Sequence, residues 1–120
     1  SVPAGFRVGY DSTYRTPRAT RIATLPVGYS DGYSRAWSNK AFILAGGRRA
    51  PVAGRVTMNL IMADLGPDSP VQAGDEAVLL GEQGAASIWA DELASYSGTI
   101  SYEVLTAIRG PRHPLEAAHG

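Results

Sequence analysis

Cysteine is absent from the 120 residues, which excludes a disulfide framework and any thiolate metal site. Histidine is nearly absent. His113 and His119 both lie at the tail, so no imidazole cluster is available inside the fold. Lysine occurs once, at Lys40. Charge of one sign is not in excess, with 11 basic against 11 acidic residues, and the electrostatic footprint of a nucleic-acid or membrane-surface binder is missing. No apolar run approaches the roughly 20 residues of a membrane span, and no signal peptide is visible. These shortages point to a soluble, intracellular, cytoplasmic protein with neither nucleic acid nor membrane as a partner.

What is present is apolar residue (44%) enough for a core, with 14 glycines and 8 prolines scattered along the chain. That composition suits short strands and tight turns better than long helices. The stretch that organises the rest is Thr20 to Arg35. Arg21–Val27 reads as a strand with small and branched residues on alternating faces. Gly28-Tyr29-Ser30-Asp31-Gly32-Tyr33 then breaks it. Two glycines and an aspartate in five residues predict an elbow that needs positive φ or close backbone approach, and such loops on rigid strands are where binding residues collect.

Along the chain, Phe6, Val8 and Tyr10 share one face of a strand expected over about 5–10, which opens as if it continued an earlier segment. Asp11–Arg18 reads as a loop. Gly46-Gly47, between Ala41–Ala45 and Arg48–Val52, predicts a hairpin with a primed turn, and Pro51 makes the second arm an edge. Gly54–Asp64 is the longest β-like run, and Glu76–Leu80 a buried strand. Two short helices are expected near the C-terminus. Ala90–Ser97 has acids in its first turn and Gly98 as its stop; Thr99–Arg109 starts with a hydroxyl cap candidate and ends at Gly110-Pro111. The fold class is therefore mainly β: a small antiparallel, Greek-key β-barrel with two short helices.

Six segments then occur in a recognisable order. They are Val8-Gly-Tyr10, Arg21–Tyr33, Arg49-Ala-Pro-Val-Ala-Gly-Arg-Val-Thr-Met58, Gly74-Asp-Glu76, Ala90-Asp-Glu-Leu-Ala94 and Thr99-Ile-Ser-Tyr-Glu103. Together they resemble the C-terminal β domain of alanine racemases, enzymes that use pyridoxal 5'-phosphate. The resemblance spans about Val2 to Arg112. It makes 1–112 the domain and leaves 113–120 as a tail and a candidate for disorder.

The resemblance implies a role for each matching residue. Tyr10 falls at the catalytic tyrosine, the proton donor–acceptor on the L-alanine face; racemisation needs one such group on each face of the α-carbon. Met58 falls where a backbone N–H contacts the substrate carboxylate. Tyr102 matches a tyrosine whose hydroxyl bonds the cofactor phosphate. Tyr29, Arg35, Arg55 and Ile100 match residues of the substrate entrance, where two arginines would favour a carboxylate. Read without the resemblance, Tyr10 is the end of a packed strand, Met58 and Tyr102 are core side chains, and the arginines are solvated.

The resemblance further implies an isomerase interconverting L- and D-alanine for the cell wall. Its cofactor is held by a lysine on an N-terminal (β/α)8 barrel of the same protein, and its site is completed across a head-to-tail homodimer, with a small amino acid as substrate. Lys40, in the polar turn Ser38-Asn-Lys40, is a solvated turn lysine, so the fragment alone is expected to be inactive and to hold no cofactor.

Three departures from the commonest family pattern stand out. Asn59-Leu60 replaces Asp-Gln, Thr57 replaces cysteine, and Gly9-Tyr-Asp11 replaces Ser-Tyr-Gly. They leave a serine, lysine or broad-specificity racemase open as the parent. A related decarboxylase, which would bring a cysteine to its site, a non-catalytic dimerisation module and an oligonucleotide-binding barrel are the remaining alternatives.

Overall fold

Gly46 and Gly47 have φ of 62° and 74° and turn β4 (Phe42–Ala45) back onto β5 (Arg48–Pro51), with Ala45 opposite Arg48 and Phe42 opposite Pro51. This is the predicted primed-turn hairpin, since two successive positive φ values match the strand twist and favour glycine. A computed structural model describes residues 3–5, 7–8, 14–16, 19–100, 104, 108 and 112–119.

The remaining strands are β1 (Arg7–Val8), β2 (Tyr14–Arg15), β3 (Arg21–Leu25), β6 (Ile61–Gly66), β7 (Glu76–Val78), β8 (Gly81–Gln83), β9 (Ala86–Ile88), β10 (Arg112–Pro114) and β11 (Ala117–His119). Helix α1 spans Ala90–Ser97. Among the described residues the strands form four antiparallel sheets: β10-β7-β4-β5, β11-β3-β6, β1-β2 and β8-β9. A single bridge, Val52 to Ala63, joins the edges of the two larger sheets. The mainly β, antiparallel class is as expected, but among the described residues no continuous ladder closes the barrel. β5 is an outer strand, as Pro51 requires.

Strand β3 is buried from Ile22 through Leu25, so both of its faces are covered. Ala23 and Leu25 face the main core with Ile43, Ile61, Leu79 and Leu93, while Ile22 packs with Ala53 and Met62 on the other side. Tyr33 and Trp37 sit in the main core with their rings edge to face at 4.7 Å. Burial pushes the Tyr33 phenol far up, with Tyr96 and Glu92 adding to the effect.

Several expectations are corrected. The β-like run 54–64 is strand only over Ile61–Gly66. The Thr57 hydroxyl accepts from the Leu60 N–H and donates to the Leu60 carbonyl, at 3.1 and 3.0 Å, and so folds 57–60 into a turn, as threonine hydroxyls do. The loop expected over 11–18 contains β2, paired with β1. The β8–β9 hairpin was not anticipated; its turn uses Gly84 at φ 59°. The tail is not outside the fold. Its residues form β10 on β7 and β11 on β3, with Leu115 buried between them and its N–H bonded to the Asp75 carbonyl at 2.9 Å. An apolar residue flanked by extended segments found two sheet edges to cover. Of the second expected helix, Thr99, Ile100, Val104 and Ile108 are described. The Val104 N–H bonds the Ile100 carbonyl and the Ile108 N–H the Val104 carbonyl, the i to i−4 pattern.

Helix α1 matches its expected span. Trp89 provides no side-chain cap, Asp91 and Glu92 lie in the first turn, and Gly98 closes the helix at φ 67°. Glu92 fastens this helix to the outer strand. The Arg49 guanidinium grips the Glu92 carboxylate with both nitrogens, donates to the Ser87 carbonyl at 3.1 Å, and lies 4.5 Å over the Phe42 ring. The Tyr96 hydroxyl donates to the same carboxylate at 3.0 Å. Arg49, foremost, holds the Glu92 carboxyl below the usual carboxylate range, with Tyr96 assisting and burial opposing.

A carboxyl lowered on folding stabilises above its unfolded pKa, and that contribution fades as pH falls through the folded value. Glu92→Gln should therefore cost about 1 kcal/mol at neutral pH. The gap to wild type, measured by thermal denaturation, should close on acidification. A gap that persists undiminished at low pH would show that the ion pair is not its source.

Candidate substrate-facing site

The elbow at the end of β3 is built by one close approach. Gly28 is extended, at φ −158°, so it is not there for its conformational range. A Cβ at this position would lie 2.2 Å from the Thr57 carbonyl oxygen and 2.7 Å from the Asn59 nitrogen. Only hydrogen fits, and the chain must pass this close because the two loops share hydrogen bonds. The Tyr29 N–H donates to the Thr57 carbonyl at 3.0 Å, and the Ser30 N–H donates to the Met58 carbonyl at 3.0 Å. The Ser30 hydroxyl adds a second bond to the Met58 carbonyl at 2.7 Å.

The elbow also holds its own shape. Asp31 accepts from the Gly28 N–H through Oδ2 at 3.1 Å, while the Asp31 and Tyr33 N–H groups return to the Gly28 carbonyl. Gly32, at φ 90°, supplies the left-handed residue that lets a one-turn 3-10 segment, Tyr29–Asp31, exit. Both needs predicted for the two glycines are met, one by each.

This arrangement puts two large apolar side chains on the surface. Met58 is 54% exposed and Tyr29 43%; neither is a core residue. Arg35 opens a second 3-10 turn, Arg35–Trp37, whose cap is the Ser34 hydroxyl accepting from the Ala36 N–H at 3.1 Å. Its guanidinium lies 5.4 Å above the Tyr29 ring, an arrangement worth about 0.5–1 kcal/mol at an exposed site. Tyr29, Arg35 and Met58 thus share one exposed corner.

Arg55 is exposed. Its neighbours are tied to the loop beyond Arg35: the Gly54 N–H donates to Asn39 Oδ1 at 2.7 Å, and the Val56 N–H to the Ser38 hydroxyl at 2.8 Å. Ile100 is 62% exposed just past α1, a helix that packs on the Arg35–Trp37 turn. Tyr10 and Tyr102 lie outside the described residues.

Among the described residues nothing accepts from the Met58 N–H. A pair of cationic side chains near an exposed backbone donor can bind a small carboxylate. The corner does not fit pyridoxal phosphate by itself. Lys40 is exposed in a turn, its N–H returned to the Trp37 carbonyl. Among the described residues no group of acids and histidines could hold a metal ion.

Sequence reasoning located the elbow, its need for close approach and Met58, but not the loop that Gly28 passes nor the bond that Ser30 makes to it. The signal was a glycine and a hydroxyl at the end of a strand, meaningful only once the partner loop is known.

The family model for the C-terminal domain of alanine racemase matches residues 1–116. The alanine racemase of Methylacidiphilum infernorum is 53% identical over 107 residues, covering 89% of this chain and 28% of that protein. That of Carboxydothermus hydrogenoformans is 52% identical over 113 residues, covering 92% and 31%. The chain therefore spans under a third of the length of these curated relatives.

Among solved structures, alanine racemase from Bacillus anthracis with bound L-Ala-P superposes with a TM-score of 0.79 at 42% identity, over 90% of this chain and 27% of that one. Alanine racemase from Bartonella henselae with covalently bound pyridoxal phosphate gives 0.75 at 30%, over 89% and 29%.

Gly28→Ala should lower stability by about 1–3 kcal/mol, the overpacking range, because its methyl meets backbone rather than a side-chain tip. Thermal or urea denaturation measures this. A loss below about 0.5 kcal/mol, the scale of an ordinary surface substitution, would mean the loops separate easily.

Proposed function

The chain belongs to the alanine racemase C-terminal domain family, and we propose that it serves as the β domain of a pyridoxal-phosphate-dependent alanine racemase, completing a site that lies largely on other parts of the assembly. The observation that carries this reading is the exposed Met58 loop, pinned by the elbow and with no described residue accepting from its N–H, in a chain matched by the family from 1 to 116.

In this reading the Met58 N–H binds the substrate carboxylate. Tyr29, Arg35, Arg55 and Ile100 line the entrance and draw in a carboxylate while restricting its size. Tyr10 holds and returns the α-proton on the L face, and the Tyr102 hydroxyl bonds the cofactor phosphate. The cofactor lysine belongs to an N-terminal (β/α)8 barrel of the same protein, and Tyr10 acts on the partner subunit of a head-to-tail dimer in the cytoplasm. Asn59, exposed beside Met58, supports a second reading in which the parent also accepts serine or lysine; turnover of a panel of amino acids separates the two.

In the full-length protein carrying this chain, Tyr10→Phe should slow removal of the α-proton from L-alanine by about 10²–10⁴-fold, and from D-alanine far less. Deuterium wash-in from each enantiomer measures the ratio, and equal loss in both directions would refute the one-face role. The 120 residues alone, given pyridoxal phosphate and alanine in D2O, should exchange no α-proton, because Lys40 is solvated. Exchange that Tyr10→Phe abolishes would overturn this.

A further inference from the structure

We infer that Ser30 is a positioning residue for substrate binding, acting through the backbone of Met58. The inference rests on the reading that the Met58 N–H receives the substrate carboxylate, and it adds what makes that N–H an effective donor.

A single N–H on an exposed loop is a weak anion site, because the loop's freedom must be lost on binding. Here the two peptide planes that flank the Met58 Cα are both fixed from the elbow. The Thr57–Met58 plane carries the N–H in question, and its carbonyl accepts from the Tyr29 N–H at 3.0 Å. The Met58–Asn59 plane is held by two donors on one carbonyl, the Ser30 N–H at 3.0 Å and the Ser30 hydroxyl at 2.7 Å. With both planes pinned, neither φ nor ψ of residue 58 can turn without breaking a bond. The Thr57–Met58 peptide is trans, so its N–H points opposite to the carbonyl that Tyr29 holds, away from the elbow. Donation into that carbonyl also polarises the peptide and strengthens its N–H.

Gly28 allows the approach and Asp31 keeps the elbow's shape. Ser30 is the one member whose clamp is a removable side-chain atom. The plainer account is a surface serine sealing a turn, which would affect stability and nothing else.

A carboxylate contact is the same before and after proton transfer, so loosening it raises KM and leaves kcat alone. In the full-length protein, Ser30→Ala should raise KM for alanine about three- to tenfold, the worth of one net hydrogen bond, with kcat within about twofold. The inhibition constant of propionate, a carboxylate with no amine, should rise by the same factor. Ser30→Thr, which keeps the hydroxyl, should restore both. KM and the inhibition constant do not depend on the fraction of protein that is active, so partial unfolding cannot imitate the effect. An unchanged KM, or a fall in kcat alone, overturns the inference.

Replacing Met58 by its α-hydroxy acid removes the N–H and keeps the side chain. If that ester raises KM while Ser30→Ala does not, positioning by Ser30 is wrong and the carboxylate role of Met58 stands. If the ester leaves KM unchanged, the role of Met58 itself fails, and the inference falls with it.

Discussion

The close passage of Gly28 over the Thr57–Asn59 backbone is the constraint on which the exposed corner depends. Without it the Tyr29 and Ser30 amides could not reach the carbonyls of Thr57 and Met58. The two loops would then be separate surface segments of ordinary mobility. With it, a strand end and a loop more than twenty residues further on become one rigid piece. The core supports the same corner from beneath: Tyr33 leaves the elbow directly into the apolar interior and stacks edge to face on Trp37, whose turn presents Arg35. A site residue and a core residue therefore alternate within a few positions, which is how a small domain can hold polar groups outward with little freedom.

The Arg49–Glu92 pair does a different job at the far end of the Arg35–Trp37 turn. It fixes α1 to the outer strand of the four-stranded sheet, and α1 in turn packs on the segment bearing Arg35. Partial exposure keeps the pair modest in energy. Its value is geometric, since the Arg49 guanidinium and the Tyr96 hydroxyl converge on one carboxylate while the Phe42 ring and the Ser87 carbonyl hold the guanidinium in place, and together they seat the helix.

Local chemistry was legible in the sequence wherever it was decided locally. Gly46-Gly47 announced its hairpin because two left-handed residues in a row have few other uses, and Gly98 and the acids at 91 and 92 delimited α1 in the same way. Features decided by a distant partner were not legible. Residues 54–60 carry a β-like composition, yet the Thr57 hydroxyl turns them and the elbow pins them. Residues 113–120 looked like a tail because nothing nearby pairs with them; the partners of those that are described lie on β7 and β3. In the candidate site, an exposed Met58 could not be told from a core methionine by its identity, since the group that matters is a backbone amide common to every residue but proline.

The weaving of β11 onto β3 has a temporal side. Ala117 pairs with Thr24 and His119 with Ile22, so the three-stranded sheet joins some of the earliest described residues to some of the latest. During synthesis the strand bearing the elbow waits with one edge bare until residue 119 has emerged from the ribosome. Pairings this distant along the chain also close slowly, because loop entropy must be overcome before they are rewarded. The sheet is thus completed only after its other strands have been made, and a nascent chain halted short of β11 displays an open edge of the kind that chaperones and neighbouring strands compete to cover.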